Sequence, residues 1–297
     1  MPSHYDLHVQ CFVKRRTNAI FTDSNNPSLL YISHVRPSTN SHPRILHSHG
    51  HHVELLLITT GTSEFLIHNR KYPVAPGDLV IYNSGIVHDD LTGPDTEIGY
   101  YCIAVGDLHM PDLRENALIS DDAGYIFHTG EEFDVMHSLC GMMFHSLSRD
   151  ENGTENFCRS LMQAFLLKAL AVTDAVGISV ASGDLEDDIL GNRIKQFIDE
   201  HYSEPLSLQE IGERLGISPY YVSHVFKKMS GYSPIQYLLR RRLGEAQTLL
   251  ISTDKTISEI AGLVGFETQN YFNAQFTKHV GIPPRKYREN YVIRQNF

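Results

Sequence analysis

Hydrophobic and polar positions change rhythm along this 297-residue chain. In the first hundred or so residues, short runs rich in β-branched and aromatic side chains recur at 29–35, 53–60, 63–68, 78–82 and 98–105. Turn chemistry separates them, as in His68-Asn69-Arg70, Ala75-Pro76-Gly77-Asp78 and Thr92-Gly93-Pro94-Asp95. Short strands at this spacing predict a sandwich or barrel. The period then lengthens. Phe133, Val135, Met136, Leu139, Met142, Met143 and Leu147 fall on one helical face, as do Phe157, Leu161, Phe165, Leu166 and Leu170. Residues 176–188, with Gly177, Ser182 and Gly183, read as a linker. Beyond it the pattern is helical throughout, with Ser218-Pro219 a strong helix start. The expected fold is α+β in two domains: a β domain with two following helices over 1–175, the linker, and an all-α domain over 189–297.

The helical part is written twice. Ile211-Gly212-Glu213-Arg214-Leu215-Gly216-Ile217 corresponds to Ile260-Ala261-Gly262-Leu263-Val264-Gly265-Phe266. Tyr221-Val222, Phe226, Lys228, Gly231 and Pro234 correspond to Tyr271-Phe272, Phe276, Lys278, Gly281 and Pro284, with one residue added in the second turn. In each copy a short helix stops at a glycine suited to the left-handed conformation. A second helix follows and offers an apolar pair at i, i+4, Val222/Phe226 and Phe272/Phe276. This is helix-turn-helix architecture in duplicate.

The opposite face of each second helix is polar and slim. Copy one offers Tyr220, Ser223, His224 and Lys227, with Ser218 and Tyr221 at its head. Copy two offers Gln269, Asn270, Asn273 and Thr277, with Thr268 at its head. Amides pair with adenine, hydroxyls donate or accept, and lysine reaches guanine or phosphate in a major groove. Arg240-Arg241-Arg242 lies between the copies, and Arg241 in particular is placed to touch a backbone phosphate. Charge supports the division. The chain carries 25 basic and 35 acidic residues, net −10. Residues 190–297 hold 14 basic against 10 acidic side chains, so the acidic excess lies in front and only the back has the sign suited to phosphate.

Residues 206–288 resemble the C-terminal domain of AraC/XylS-type transcription regulators. The most specific pieces are Gly216-Ile217-Ser218-Pro219-Tyr220-Tyr221, Phe226-Lys227-Lys228, Ile257-Ser258-Glu259-Ile260-Ala261, Val264-Gly265-Phe266 and Gly281-Ile282-Pro283-Pro284-Arg285-Lys286-Tyr287-Arg288. Gly212, where alanine is usual, and Gly244, inside the linking helix, depart from the pattern. The resemblance implies two recognition helices entering successive major-groove faces of double-stranded DNA, a homodimer formed through the two helices after the barrel, and work beside RNA polymerase as an activator.

The front half has its own chemistry. His47-Ser48-His49, Glu54 and Gly61 have the spacing of the first cupin motif. Gly77 followed by Asn83-Ser84-Gly85-Ile86-Val87-His88 resembles the second, with Asn83 where proline is usual. That resemblance implies a small barrel with His47, His49, Glu54 and His88 pointing inward. His47 and His49, two apart on a strand, share a face, and three imidazoles with a carboxylate suit zinc, iron, manganese or nickel. The same residues also suit an effector pocket for a polar small molecule such as a sugar, with Arg44, Tyr82 and Tyr101 as further lining, or plain hydrogen bonding at a strand end. No cofactor is required by the sequence beyond this candidate divalent metal.

Four scattered cysteines without a CxxC pair fit a reduced compartment. Residues 1–10 carry His4, Asp6 and His8 and no apolar core, unlike a signal peptide. No apolar run approaches the roughly 20 residues of a membrane span. The expectation is a cytoplasmic, non-enzymatic transcription regulator. The alternative is a metal-dependent cupin enzyme fused to a DNA-binding module.

Overall fold

Alternation of inward and outward side chains on antiparallel strands builds the N-terminal half. The structure, a computed structural model, describes residues 20–21, 25–37, 45–67, 70–89, 97–149, 153–174 and 185–291. One sheet holds β1 (Ser28–Val35), β7 (Gly99–Gly106), β2 (His52–Thr60), β5 (Asp78–Tyr82) and β8 (Ile126–His128), side by side in that order. A second holds β4 (Arg70–Val74), β3 (Ser63–Ile67) and β6 (His88–Asp89). All the pairings are antiparallel. The five long runs of the sequence are thus strands, and β4, β6 and β8 join them. The expected turns at 68–69 and 92–95 lie outside the described residues.

Period two sorts β2 between two cores. Leu56 and Ile58 face the space between the sheets, with Phe65, Ile67, Val80, Tyr82 and Tyr100. Val53, Leu55 and Leu57 face the other way, onto α1 (Phe133–Leu147) and α2 (Thr154–Asp174). Those helices bury Met136, Leu139, Met143, Phe165 and Leu166 against the sheet, while Val135, Met142 and Phe157 of the expected apolar faces lie exposed.

The helical domain runs through α3 (Leu185–His201), α4 (Leu208–Leu215), α5 (Pro219–Ser230), α6 (Pro234–Ser252), α7 (Ile257–Leu263), α8 (Gln269–Val280) and α9 (Pro284–Tyr291). Helix α3 begins at Leu185, inside the stretch 176–188 expected as a linker. Residues 176–184 lie outside the described residues.

The duplication is one of geometry as well as sequence. Gly216 and Gly265 sit at φ 72° and 88° and turn the chain after the first helix of each copy. The Ile217 amide donates to Gly212 O and the Phe266 amide to Ala261 O, both at 2.9 Å. Phe226 packs edge-on to Tyr237, with centroids 5.2 Å apart, and Phe276 packs edge-on to Tyr287 at 5.5 Å. The two tyrosines are again fifty positions apart. All four rings are fully buried. Gly212 is explained by the tighter first turn: a Cβ there would stand 2.7 Å from the Ile217 carbonyl oxygen.

Candidate functional site

Two polar surfaces stand out from the helical domain, one on each second helix. The N-cap Ser218 Oγ accepts from the Tyr221 amide at 3.2 Å, and Thr268 Oγ1 accepts from the Tyr271 amide at 3.3 Å. Both hydroxyls are therefore occupied in starting α5 and α8, and each satisfies an otherwise orphaned N–H. On α5, Tyr220 is 79% exposed and lies parallel to the His224 ring. Tyr221, His224 and Lys227 are exposed and Ser223 half-buried. Tyr220, Ser223, His224, Lys227 and Lys228 line one shallow groove. On α8, Gln269 and Asn270 are exposed, and Asn273 and Thr277 are half-buried. Gln269, Asn273 and Thr277 line a groove with Lys278 and Arg285. Asn273 is the least available of the expected readers, because its Oδ1 is buried and has no hydrogen-bond partner.

The arginine triplet is placed differently from the expectation. Arg241 is buried, not offered to a phosphate: it pairs with Glu245 at 3.1 Å, donates to Ser48 Oγ at 3.0 Å and lies over the Tyr202 ring. Arg240 pairs with buried Asp89 and lies over Tyr232. Arg242 donates to the carbonyls of Tyr202 and Glu204, both at 2.7 Å, and stacks on Phe266. The triplet tracks one helical turn, so its members point to different neighbours and turn inward together. The cations beside the readers are instead Lys227, Lys228, Lys278 and Arg285. Arg285 escaped the sequence reading. Its signal was Pro283-Pro284, which starts α9 beside α8.

The N-terminal half gathers its histidines. His47, His49, Glu54 and His88 are all buried, and one ligand atom from each lies within 4.8 Å of the others. Their positions follow from pairing. The His47 amide donates to His88 O and the His88 amide to His47 O, both at 2.9 Å, which sets the two side chains next to each other. Glu54 faces them from the inner side of β2. Its Oε2 lies 3.2 Å from His49 Nε2 and 3.3 Å from His88 Nε2. Nδ1 of His47 donates to Ile45 O at 2.9 Å and Nδ1 of His88 to Ile86 O at 3.0 Å. A carbonyl accepts only, so these bonds fix the tautomer and leave Nε2 of both rings toward the centre. A neutral His88 then turns a lone pair toward a carboxylate oxygen. That arrangement calls for a cation between them, either a second proton on the ring or a metal ion. Burial opposes ionisation of Glu54, but the positive charge of His49 and the polar contacts of His49, His52 and His88 outweigh it and hold the carboxyl well below its usual range. The donor set is the one a divalent transition metal takes.

Two further residues belong here that spacing did not reveal. Tyr31 donates to Glu54 Oε1, and His52 Nε2 lies 3.9 Å from the same oxygen with its ring stacked on His49. Tyr31 comes from β1, two strands away in the sheet, which no motif spacing encodes. Tyr82 is stacked on His88, with centroids 3.8 Å apart. Tyr101, expected as pocket lining, sits on the outer face of β7, stacked on His34 at 4.1 Å and packed against α1, while its neighbour Tyr100 faces inward. A one-residue error in strand phase moves a side chain to the opposite face. Arg44 lies outside the described residues.

Two family profiles match the chain. One, described as a Helix-turn-helix domain, covers residues 211–290, and the other, an AraC-like ligand binding domain, covers residues 29–166. The chain is 27% identical over 252 residues to the uncharacterized HTH-type transcriptional regulator YdiP of Escherichia coli, across 82% of this chain and 81% of that protein. It is 33% identical over 102 residues to the multiple antibiotic resistance protein MarA of Salmonella typhimurium, across 34% of this chain and 80% of that protein. It is 21% identical over 241 residues to the lactose operon transcription activator of Staphylococcus xylosus, across 80% and 84% of the two lengths.

Proposed function

Since the chain belongs to the AraC family of transcription regulators, we propose that it reads a specific DNA sequence with α5 and α8 and senses an effector at the buried histidine–glutamate centre. The observation that carries the first half is the pair of polar faces on the second helices of two copies of one motif. Base readers are His224 on α5 and Gln269 and Asn270 on α8, flanked by cations suited to phosphate. Two such heads on one side of a duplex require reading sites about one helical turn apart. Selection of bound duplexes from a random pool by the full chain tests this. A bipartite motif with that spacing is the expected result, and a pool without enrichment overturns it.

The activator role is favoured by the name of the Staphylococcus xylosus relative. A dimer is favoured by Val135 and Met142 on α1 and Phe157 and Leu167 on α2, apolar side chains left exposed. A dimer would join two bipartite readers into one longer site, and sedimentation of the purified protein decides its existence.

For the sensing centre, a divalent transition metal is the occupant that the donor set and the fixed Nε2 orientation favour. His47, His49 and His88 would bind through Nε2 and Glu54 through carboxylate oxygen. The ion would supply the positive charge that the carboxylate and the lone pairs call for. Tyr31 and the two backbone carbonyls orient these donors. No residue of the centre is assigned acid–base work on a substrate, so the role proposed is regulatory and not enzymatic. Zinc retained by purified wild type and lost in Glu54→Gln and His88→Ala supports it. A wild-type protein free of metal and indifferent to added zinc overturns it in favour of a polar organic effector on the same side chains.

A further inference from the structure

We propose that occupancy of the histidine–glutamate centre sets how firmly the helical domain is held against the N-terminal domain, an inference that rests on reading the centre as a metal site. The centre and the contact between the domains share two short stretches of chain. Along the chain at 46–49, His47 and His49 turn into the centre, while Leu46 and Ser48 turn toward the helical domain. Along 87–89, His88 turns in, while Val87 and Asp89 turn out. The period of two places ligands and contact residues alternately on the same few residues. Fixing one set therefore fixes the other.

The surface that receives the outward set is α6. Ile45, Leu46, Leu66 and Val87 join the apolar core of the helical domain and do not belong to either core of their own. The Ile45 amide donates to Gln247 Oε1 at 2.8 Å, and Gln247 is fully buried. Arg241 donates to Ser48, and Arg240 pairs with Asp89. Gly244 is the point of closest approach. A Cβ there would stand 2.0 Å from Leu46 O and 2.6 Å from Ile45 O. A glycine inside a helix is unfavourable by itself, and here it lets the backbone just before the ligand His47 lie directly on α6.

A metal that holds His47, His49, Glu54 and His88 together orders the stretches 46–49 and 87–89 and with them Leu46, Ser48, Val87 and Asp89. The occupied centre thus favours the closed seam. Binding linkage is reciprocal, so a seam that cannot close must weaken the metal. Gly244→Ala tests this without touching the centre or any charge. Its methyl meets backbone atoms, which cannot swing aside, while alanine is the better helix former for the helical domain itself. Gln247→Leu removes the other neutral contact and guards against a peculiarity of one variant.

The experiment is a titration of the full chain with Co2+, followed by its visible absorption, in wild type and both variants. The expected outcome is a dissociation constant roughly 5- to 150-fold higher in each variant, with slower hydrogen exchange at the Ile45 amide and along α6 when wild type takes up Co2+. Equal affinity in all three proteins keeps the centre and overturns the coupling. A wild type that binds no Co2+ removes the centre and the coupling with it.

Discussion

At the scale of single residues, the fine placement of a side chain decides whether it reads DNA. His224 is exposed at the middle of α5 and Asn270 in the first turn of α8. Asn273 has its amide oxygen buried without a partner. His224→Ala and Asn270→Ala should each relax base preference at one position of the site, at different positions, and cost about 1–3 kcal/mol in discrimination. Asn273→Ala should cost less in discrimination than either. Binding to a panel of single-base operator variants checks all three, and an unchanged preference profile for Asn270→Ala would remove it as a reader. The rings beneath behave otherwise. Phe226 and Phe276 are fully buried, so alanine at either should destabilise the domain by about 3–5 kcal/mol in denaturant unfolding.

Among the elements, the helix starts are the most strongly encoded feature. Ser207 with Glu210, and Thr256 with Glu259, form reciprocal capping boxes at α4 and α7. The side-chain hydrogen bond from Ser207, with the backbone bond, holds Glu210 below its usual range, and Thr256 does the same for Glu259. Because the folded value is the lower one, each carboxylate stabilises its helix above the ordinary carboxylate range, and that contribution is lost as the pH falls through the folded value. The protection of the Ser207 and Thr256 amides against hydrogen exchange, relative to the intrinsic rate at each pH, should therefore fall on acidification before that of the middle of α6, because these amides donate to the two carboxylates. Equal pH dependence at both places would contradict the assignment.

Such local signals explain what was legible in the sequence. Caps, glycine stops and the fifty-residue repeat are near-neighbour chemistry, and they located α4, α5, α7 and α8. The strands with long β-branched runs were legible for the same reason. β6 was not, because two residues, His88 and Asp89, are held as a strand only by partners far along the chain. The histidine cluster was readable from its spacing, but Tyr31 was not, since sheet order brought it there. The pairing of Arg240 with Asp89 and the purpose of Gly244 both depend on the other domain, about which a helical period carries no information.

For the molecule as a whole, no described helix is long and apolar enough to cross a membrane, and the charge is divided between domains that touch. The cations accessible beside the readers are Lys227, Lys228, Lys278 and Arg285, whereas Arg240 is spent on the seam and Arg241 is buried among Glu245, Tyr202 and Ser48. Each phosphate neutralised contributes close to one unit of salt dependence. With the seam closed, four contacts per helical domain predict a slope of about −3.6 for the logarithm of the DNA-binding constant against the logarithm of salt concentration. Opening the seam parts Arg240 from Asp89 and frees one more arginine without changing the net charge, and the limiting slope for five contacts is about −4.5. Gly244→Ala should therefore show a steeper slope than wild type on non-specific duplex DNA. It should also bind that DNA more tightly at low salt. If the two slopes coincide, Arg240 plays no part on DNA in either state and serves only to join the domains.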